Sequence, residues 1–158
     1  MRRHPGTRSR HSLAAVLALV VLAIGAGWSP PPLAETAPNV APVYTMSPVG
    51  WIRKTGDKTF IVIDKRYQPA LLGVESLSSL WVLYWFDRND NPAARAILQV
   101  HPRGDPSRPL RGVFATRSPF RPNLIALSHV NVLAVRDNII EIDAIDAFAD
   151  TPVLDLKP

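Results

Sequence analysis

Arginines are concentrated in one stretch of the chain, from His101 to Asn123, where planar guanidinium groups could bind phosphate or carboxylate oxygens. The stretch reads HPRGDPSRPLRGVFATRSPFRPN and contains a single acid, Asp105. Five prolines stiffen its backbone and two glycines free it, so the loop can hold side chains in fixed positions. We predict a ligand-binding loop, although a solvated Pro/Arg-rich linker has the same composition. Its arginines are Arg103, Arg108, Arg111, Arg117 and Arg121.

Charge is unevenly distributed along the chain. Seven arginines fall between Arg88 and Arg121 against two acids, whereas the segment from Asp137 to Asp155 contains six acids and no base. Two solvated faces that attract one another would account for this pattern, and such exposed ion pairs contribute at most about 1 kcal/mol each. A phosphate-binding face is the alternative, and the use of arginine at every basic position between 88 and 121 favours it.

The composition limits the class of protein. A chain of 158 residues is long enough for one domain with a core. It has no cysteine, which excludes disulfides, thiolate metal sites and cysteine nucleophiles, and we expect no metal site. The net charge of +5 comes largely from the N-terminus, because residues 1–34 contain four arginines and no acid. The remainder carries fourteen basic groups against thirteen acids, so the protein is not globally basic.

Residues 1–34 have the pattern of a signal peptide or N-terminal anchor, with a basic stretch, an apolar run from Leu13 to Ala26 and then small and turn-forming residues. Residues 35–47 form a Pro/Ala/Thr-rich linker, and residues 48–158 form the domain. The leader predicts export to the periplasm or anchoring in the membrane. Translation from Met46 would instead give a cytoplasmic protein, and both alternatives stay open.

The elements that must position the arginines are β-strands. No part of the domain has a sustained 3.6-residue apolar period, whereas Ile140 and Ile142 alternate with acids as in a strand with one wet face. Leu80 to Phe86 is uniformly apolar, which predicts a strand buried on both faces. Tyr67 to Leu72 suits a short helix. We predict a mainly β single domain of about seven short strands, closed into a barrel or sandwich. The predicted strands span 49–53, 59–64, 80–86, 95–100, 112–116, 124–135 and 139–146.

Four motifs in order give the domain a family resemblance. They are PVGWIR at 48–53, LGVESLS at 72–78 with LWVLYWF at 80–86, GVFATRSPFRPN at 112–123, and DTPVLDLKP at 150–158. Together they resemble the TsaA-like family, also called TrmO, which comprises S-adenosylmethionine-dependent methyltransferases of tRNA. The resemblance implies a closed or nearly closed β-barrel. It further implies a homodimer that methylates N6 of threonylcarbamoyladenosine at position 37 of tRNA, with S-adenosyl-L-methionine as cofactor.

The resemblance also implies site residues. The cofactor pocket would include Phe86, Asp87, Arg117, Leu127, Asp143, Ala144, Ile145 and Asp146. Candidates for contact with the substrate are Arg103, Arg111, Arg121, Asn123, Asp150, Thr151, Asp155 and Lys157. No catalytic acid or base is assigned, because the sulfonium methyl group is already electrophilic and the protein chiefly has to position the acceptor.

The chain departs from the family pattern near the implied pocket. A histidine is usual where this chain has Ser79 and common where it has Asp87, and a closing tyrosine is missing. The remaining departures are Leu124, Ala126 and Asp150, and a short 53–59 loop without the Pro-Arg-Gln segment of longer members. They leave the fold expectation intact and admit a second hypothesis, an exported, non-catalytic binding module with a degenerate pocket. A weaker third hypothesis is a binder of anionic polymers that uses only the arginine stretch.

Overall fold

The computed structural model describes residues 42–158, so the leader predicted at 1–34 and residues 35–41 of the predicted linker lie outside the described residues. Eight strands are present in this part of the chain: β1 (Gly50–Thr55), β2 (Lys58–Ile63), β3 (Ser79–Trp85), β4 (Gln99–Val100), β5 (Arg111–Gly112), β6 (Ile125–Arg136), β7 (Ile139–Ile142) and β8 (Pro152–Lys157). Six of them close into an antiparallel barrel in the order β1-β2-β7-β6-β3-β8, because β8 also pairs with β1. The predicted mainly β barrel is confirmed, with six strands in the barrel instead of about seven.

Branched apolar side chains fill the barrel interior. Ile61 and Ile63 of β2 and Ile140 and Ile142 of β7 are all buried, and they alternate with more exposed neighbours along their strands. This is the period-two pattern expected when one face of each strand contacts the core. Closure of the barrel pairs both edges of each of these strands, which protects them from pairing with other chains.

The first hairpin depends on two glycines. Gly56 lies in the turn between β1 and β2 with a φ of +60°, a conformation that glycine adopts without strain. Gly50 begins β1 where the backbones of β1 and β2 approach closely, and a Cβ there would lie 2.5 Å from the carbonyl oxygen of Val62. Side chains larger than hydrogen are therefore excluded at position 50 unless the backbone shifts.

The prediction that Leu80 to Phe86 is buried on both faces was wrong. Within β3, Leu80, Val82 and Tyr84 are buried, whereas Trp81 is 36 % exposed. A barrel strand has an outer face, and Trp81 covers part of that face by packing on His129 of β6 at a centroid distance of 4.8 Å. The uniform apolarity of the segment thus reflects an apolar outer surface and not a central strand.

The segment from residue 92 to residue 116 contains less β-strand than predicted. Where a strand was predicted at 95–100, the helix α1 (Pro92–Ala96) begins at the cap residue Asn91, whose side chain accepts from the Ala94 amide at 2.9 Å, and only β4 follows. The strand predicted at 112–116 is a 3₁₀ turn at Val113–Ala115, preceded by β5. The helix predicted near Tyr67 is present as a 3₁₀ helix, Lys65–Leu71. No helix within residues 42–158 is long and apolar enough to cross a bilayer.

Candidate functional site

A cavity of about 510 Å³ opens where β3 ends beside the start of β6. Its walls come from residues 84–89, from residues 125–128, from residues 146–148, and from Arg117, Pro119, Arg121 and Thr151. Its volume lies within the range of about 300–1,000 Å³ that is typical of small-molecule sites. The arginine stretch and the acidic C-terminal segment therefore meet at one cavity.

Tyr84 lines the cavity and holds the segment around Asp146 in place. Its hydroxyl donates to the carbonyl oxygen of Asp146 at 2.8 Å and lies 3.2 Å from the Ser128 hydroxyl oxygen. Burial raises the pKa of the Tyr84 hydroxyl above its ordinary value. The hydroxyl thus ties the acidic segment to β3 and β6.

Aromatic rings line the side of the cavity at the end of β3. Phe86 meets Tyr84 edge to face, with ring centroids 5.8 Å apart, and its amide donates to the carbonyl of Leu124 at 2.9 Å. The indole nitrogen of Trp85 donates to the Asp90 carboxylate at 3.0 Å. These contacts hold two apolar ring surfaces against the cavity.

Arg95 lies outside the cavity and stabilises the turn that follows β3. Its guanidinium lies 2.8 Å from the Asp90 carboxylate and donates to the carbonyl of Pro122 at 3.0 Å. Hydrogen bonds from Arg95 and then Trp85 hold the pKa of Asp90 below its usual range. The turn after β3 is therefore linked to the end of the arginine stretch.

Two arginines of the stretch line the cavity and are held by backbone carbonyls. Arg117 donates from Nη1 to the carbonyl of Leu127 at 2.7 Å, and Arg121 donates from Nη2 to the carbonyl of Val113 at 3.2 Å. A guanidinium group has five N–H donors, so each of these bonds leaves most of the group available to a ligand. Neither arginine forms an ion pair with a carboxylate in residues 42–158.

Three more charged residues line the cavity: Arg88, Asp87 and Asp146. The Arg88 guanidinium stacks on the ring of Phe148, 3.8 Å from its centroid, and both residues line the cavity. The side chains of Asp87 and Asp146 are exposed. No ion pair joins the arginines between 88 and 121 to the acids between 137 and 155. Mutual neutralisation of two charged surfaces therefore does not explain why both segments are charged.

Most of the predicted cofactor residues come together at this cavity. Those that line it are Phe86, Asp87, Arg117, Leu127 and Asp146. Asp143 and the two residues after it lie outside it. The Asp143 carboxylate accepts from the Asn131 side chain at 2.7 Å and from the Ala144 amide at 2.8 Å, and Ile145 is buried in the core. The predicted strand 139–146 ends at Ile142 because these bonds take the chain out of the ladder.

The residues predicted to contact substrate are dispersed. Two of them, Arg121 and Thr151, line the same cavity, and Arg103 lines a second recess beside it. Asp150 pairs with Arg53, and Asp155 pairs with Lys157 at 2.7 Å. Arg111 and Asn123 are exposed and line neither recess. The assignment of all these residues to substrate remains a prediction.

Sequence reasoning missed several residues of the cavity. Tyr84 and Trp85 belong to a strand that was predicted to be buried on both faces. Nothing in the sequence therefore indicated that they line a cavity. Phe148 is 61 % exposed, and an aromatic residue inside an acidic segment was the one available clue. Arg88 was counted among the seven arginines between 88 and 121, but nothing in the sequence placed it at the cofactor cavity. The residues missed were Tyr84, Trp85, Arg88, Asn89, Pro119, Ile125, Ala126, Ser128, Ala147 and Phe148.

The protein is a closed antiparallel barrel with a lateral cavity of aromatic rings, guanidinium groups and carboxylates, a lining that suits a small polar ligand. The chain belongs to the tRNA-methyltransferase O N-terminal domain family, which matches residues 48–158. The resemblance drawn from the four motifs is thereby confirmed.

Relatives and solved structures agree with this assignment. A probable S-adenosyl-L-methionine-binding protein of Methanocaldococcus jannaschii is 42% identical over 115 residues, which cover 73% of this chain and 91% of the relative. The human tRNA (adenine(37)-N6)-methyltransferase is 39% identical over 91 residues, covering 58% of this chain and 20% of that enzyme. A crystal structure of TrmO from P. aeruginosa superposes with a TM-score of 0.58 at 25% identity, covering 76% of this chain and 56% of that one. The chain thus spans little more than half of the solved TrmO chain.

Proposed function

We propose that the chain binds S-adenosyl-L-methionine in the 510 Å³ cavity and transfers its methyl group to N6 of threonylcarbamoyladenosine at position 37 of tRNA. One observation carries the proposal: a single cavity is lined by aromatic rings, by arginines without carboxylate partners in residues 42–158, and by two exposed acids. Membership of the family supports the choice of cofactor and of substrate.

The lining fits the three chemically distinct parts of the cofactor. An adenine ring can pack on the half-buried ring of Phe86 or on the exposed ring of Phe148, both of which line the cavity. The carboxylate of the methionine moiety suits a guanidinium fork such as that of Arg117. The positive charges of the sulfonium and ammonium groups suit the carboxylates of Asp87 and Asp146. The residues present therefore fit the group.

When bound, the cofactor supplies a methyl group on a positively charged sulfur atom. The chain's own contribution is placement and electrostatics, because this transfer needs little proton chemistry. Tyr84 keeps the Asp146 segment at a fixed distance from β3, and Arg117 is held against the start of β6 by the Leu127 carbonyl. A rigid frame of this kind reduces the entropy lost when the two substrates are aligned.

The proposal includes a homodimer. Leu127 is 44 % exposed and Trp81 is 36 % exposed on the outer face of β6 and β3, next to the cavity. A second copy covering this face would remove apolar surface from water. Light scattering on the purified protein should give twice the chain mass, and a monomer at micromolar concentration would remove this part of the proposal.

The test of function is methyl transfer to tRNA. The purified protein is incubated with labelled cofactor and with tRNA that carries threonylcarbamoyladenosine, and the nucleosides are then separated by mass spectrometry. We expect the label on that nucleoside and none with tRNA lacking the threonylcarbamoyl group. Label at another nucleoside would refute the proposed substrate.

A second candidate is a binding module without transferase activity, and two observations favour it. Residues 1–34 resemble a leader for export, and Asp87 on the cavity wall replaces a histidine that is common in the family. This protein would bind a ligand in the cavity and methylate nothing. Mass spectrometry of the protein from its native cell separates the candidates: an N-terminus near Glu35 supports export, and one at Met46 supports the tRNA enzyme.

A further inference from the structure

The cavity is not the only recess in the arginine stretch. A second one, of about 880 Å³, lies between the 3₁₀ turn Pro102–Gly104 and residues 115–120. It shares Arg117, Pro119 and Asp146 with the first cavity. The two recesses therefore meet at a common wall, the arrangement that a two-substrate reaction needs when the reacting atoms must come into contact.

The rim of this second recess is a constrained loop that presents one arginine. Arg103 has a φ of +61° and is followed by Gly104 with a φ of +68°. Arg103 therefore adopts a left-handed backbone conformation that is unfavourable for residues other than glycine. The loop is closed by a hydrogen bond from His101 Nδ1 to the carbonyl of Arg108 at 2.7 Å and by one from the Gly104 amide to the His101 carbonyl at 2.9 Å. The position of Arg103 is thus set by its neighbours and not by its own preference.

The charge of Arg103 is uncompensated within the loop. The one acid of the loop itself, Asp105, accepts hydrogen bonds from the Ser107 hydroxyl at 2.6 Å and from Arg108 Nε at 3.2 Å. Arg103 is exposed and forms no ion pair with a carboxylate in residues 42–158. A guanidinium held in this way at the rim of a recess suits a phosphate oxygen.

Apolar side chains line the same recess as Arg103. Phe120 is half-buried, and Val100 and Ile97 line the same recess. A recess with a ring surface inside and a cation at its rim matches a nucleotide, whose base stacks while its phosphate pairs. Arg111, which is in the same stretch and equally charged, lines neither recess and lacks this setting.

We propose that the second recess binds the methyl acceptor, with Arg103 on an RNA phosphate and Phe120 against a base, so that the acceptor nitrogen reaches the first cavity past Arg117 and Asp146. This assignment rests on the proposed function, since it names the acceptor side of the same site. It predicts that cofactor binding and acceptor binding respond to different substitutions.

The test compares Arg103→Gln with Arg111→Gln, which removes the same charge from the same stretch. The probe is a fluorescent anticodon stem-loop RNA carrying threonylcarbamoyladenosine, titrated by anisotropy without cofactor. We expect Arg103→Gln to weaken RNA binding about tenfold and to lower the slope of log affinity against log salt by about one. Arg111→Gln should leave both unchanged because Arg111 lines neither recess, in contrast to the substrate contact that the family resemblance implied for it. Neither variant should alter the affinity for S-adenosylmethionine.

A second variant tests the base contact. Phe120→Leu keeps an apolar side chain but removes the ring, and we expect the KM for the RNA to rise at least about fivefold at unchanged kcat. Equal losses in Arg103→Gln and Arg111→Gln would show diffuse attraction to a polyanion and would overturn the assignment. Normal RNA affinity in both Arg103→Gln and Phe120→Leu, in proteins that still bind the cofactor, would also overturn the assignment. Absence of cofactor binding in the unmodified protein would instead refute the proposed function itself.

Discussion

At the scale of single residues, Tyr84 links the fold to the site. One hydroxyl group contacts Asp146 and Ser128, and the buried ring lies under the cavity. Asp146 in turn belongs to both recesses. Loss of this hydroxyl should therefore affect stability and ligand binding together, whereas an ordinary core tyrosine would affect stability alone.

Tyr84→Phe should lower the free energy of unfolding by about 1 kcal/mol at neutral pH, because it removes a hydrogen bond of ordinary strength. The folded protein raises the pKa of this phenol above its ordinary value of 10.0, so the stabilising effect is full below pH 10.0 and declines as the pH rises above it. Urea unfolding at pH 8 and at higher pH should show the difference between the two proteins shrink. Tyr67→Phe is the control, since the Tyr67 hydroxyl has no hydrogen bond in residues 42–158, and a difference that grows with pH would contradict the account.

At the scale of elements, the close approach of β1 to β2 decides where side chains are tolerated. A Cβ at Gly50 would meet backbone atoms of β2, the Val62 oxygen at 2.5 Å and the Ile63 Cα at 2.9 Å. Backbone atoms in a paired strand cannot move aside without lengthening ladder hydrogen bonds. Gly112 in β5 is different, because its nearest neighbour lies 4.0 Å from the added atom.

Gly50→Ala should therefore destabilise the barrel by about 1–3 kcal/mol, the usual effect of overpacking. Gly112→Ala is the matched control and should be close to neutral. Thermal unfolding followed by circular dichroism measures both. Equal melting temperatures for the two variants would show that β1 and β2 leave room for a Cβ at position 50.

The elements also show what the sequence could predict and what it could not. The alternation at Ile140 and Ile142 predicted a half-buried strand, and β7 lies at this position with both residues buried. The end of β7 could not be predicted, because it depends on a hydrogen bond between Asp143 and Asn131 twelve residues earlier. For the same reason the wall of the cavity begins at Asp146 and not at Asp143. Long-range contacts leave no local pattern.

At the scale of the whole molecule, the motifs predicted the barrel and part of one cavity but not a second recess. The resemblance assigned Arg117 to the cofactor and Arg103, Arg111 and Arg121 to the substrate, whereas the structure groups them differently. Arg117 and Arg121 line the first cavity, Arg103 lines the second, and Arg111 lines neither. Composition cannot reveal such a division, since all four residues have the same side chain. Only folding against the acidic segment separates them.

The most direct test of the central claim is calorimetric titration of the protein with S-adenosyl-L-methionine. We predict one site per chain with a dissociation constant below about 1 mM. Arg117→Ala should weaken binding at least about tenfold, because it removes a charge-assisted bond, and Arg136→Ala, an equal change of charge away from the cavity, should leave it unchanged. No heat of binding at millimolar cofactor, or equal affinity in both variants, would contradict the assignment of the cavity.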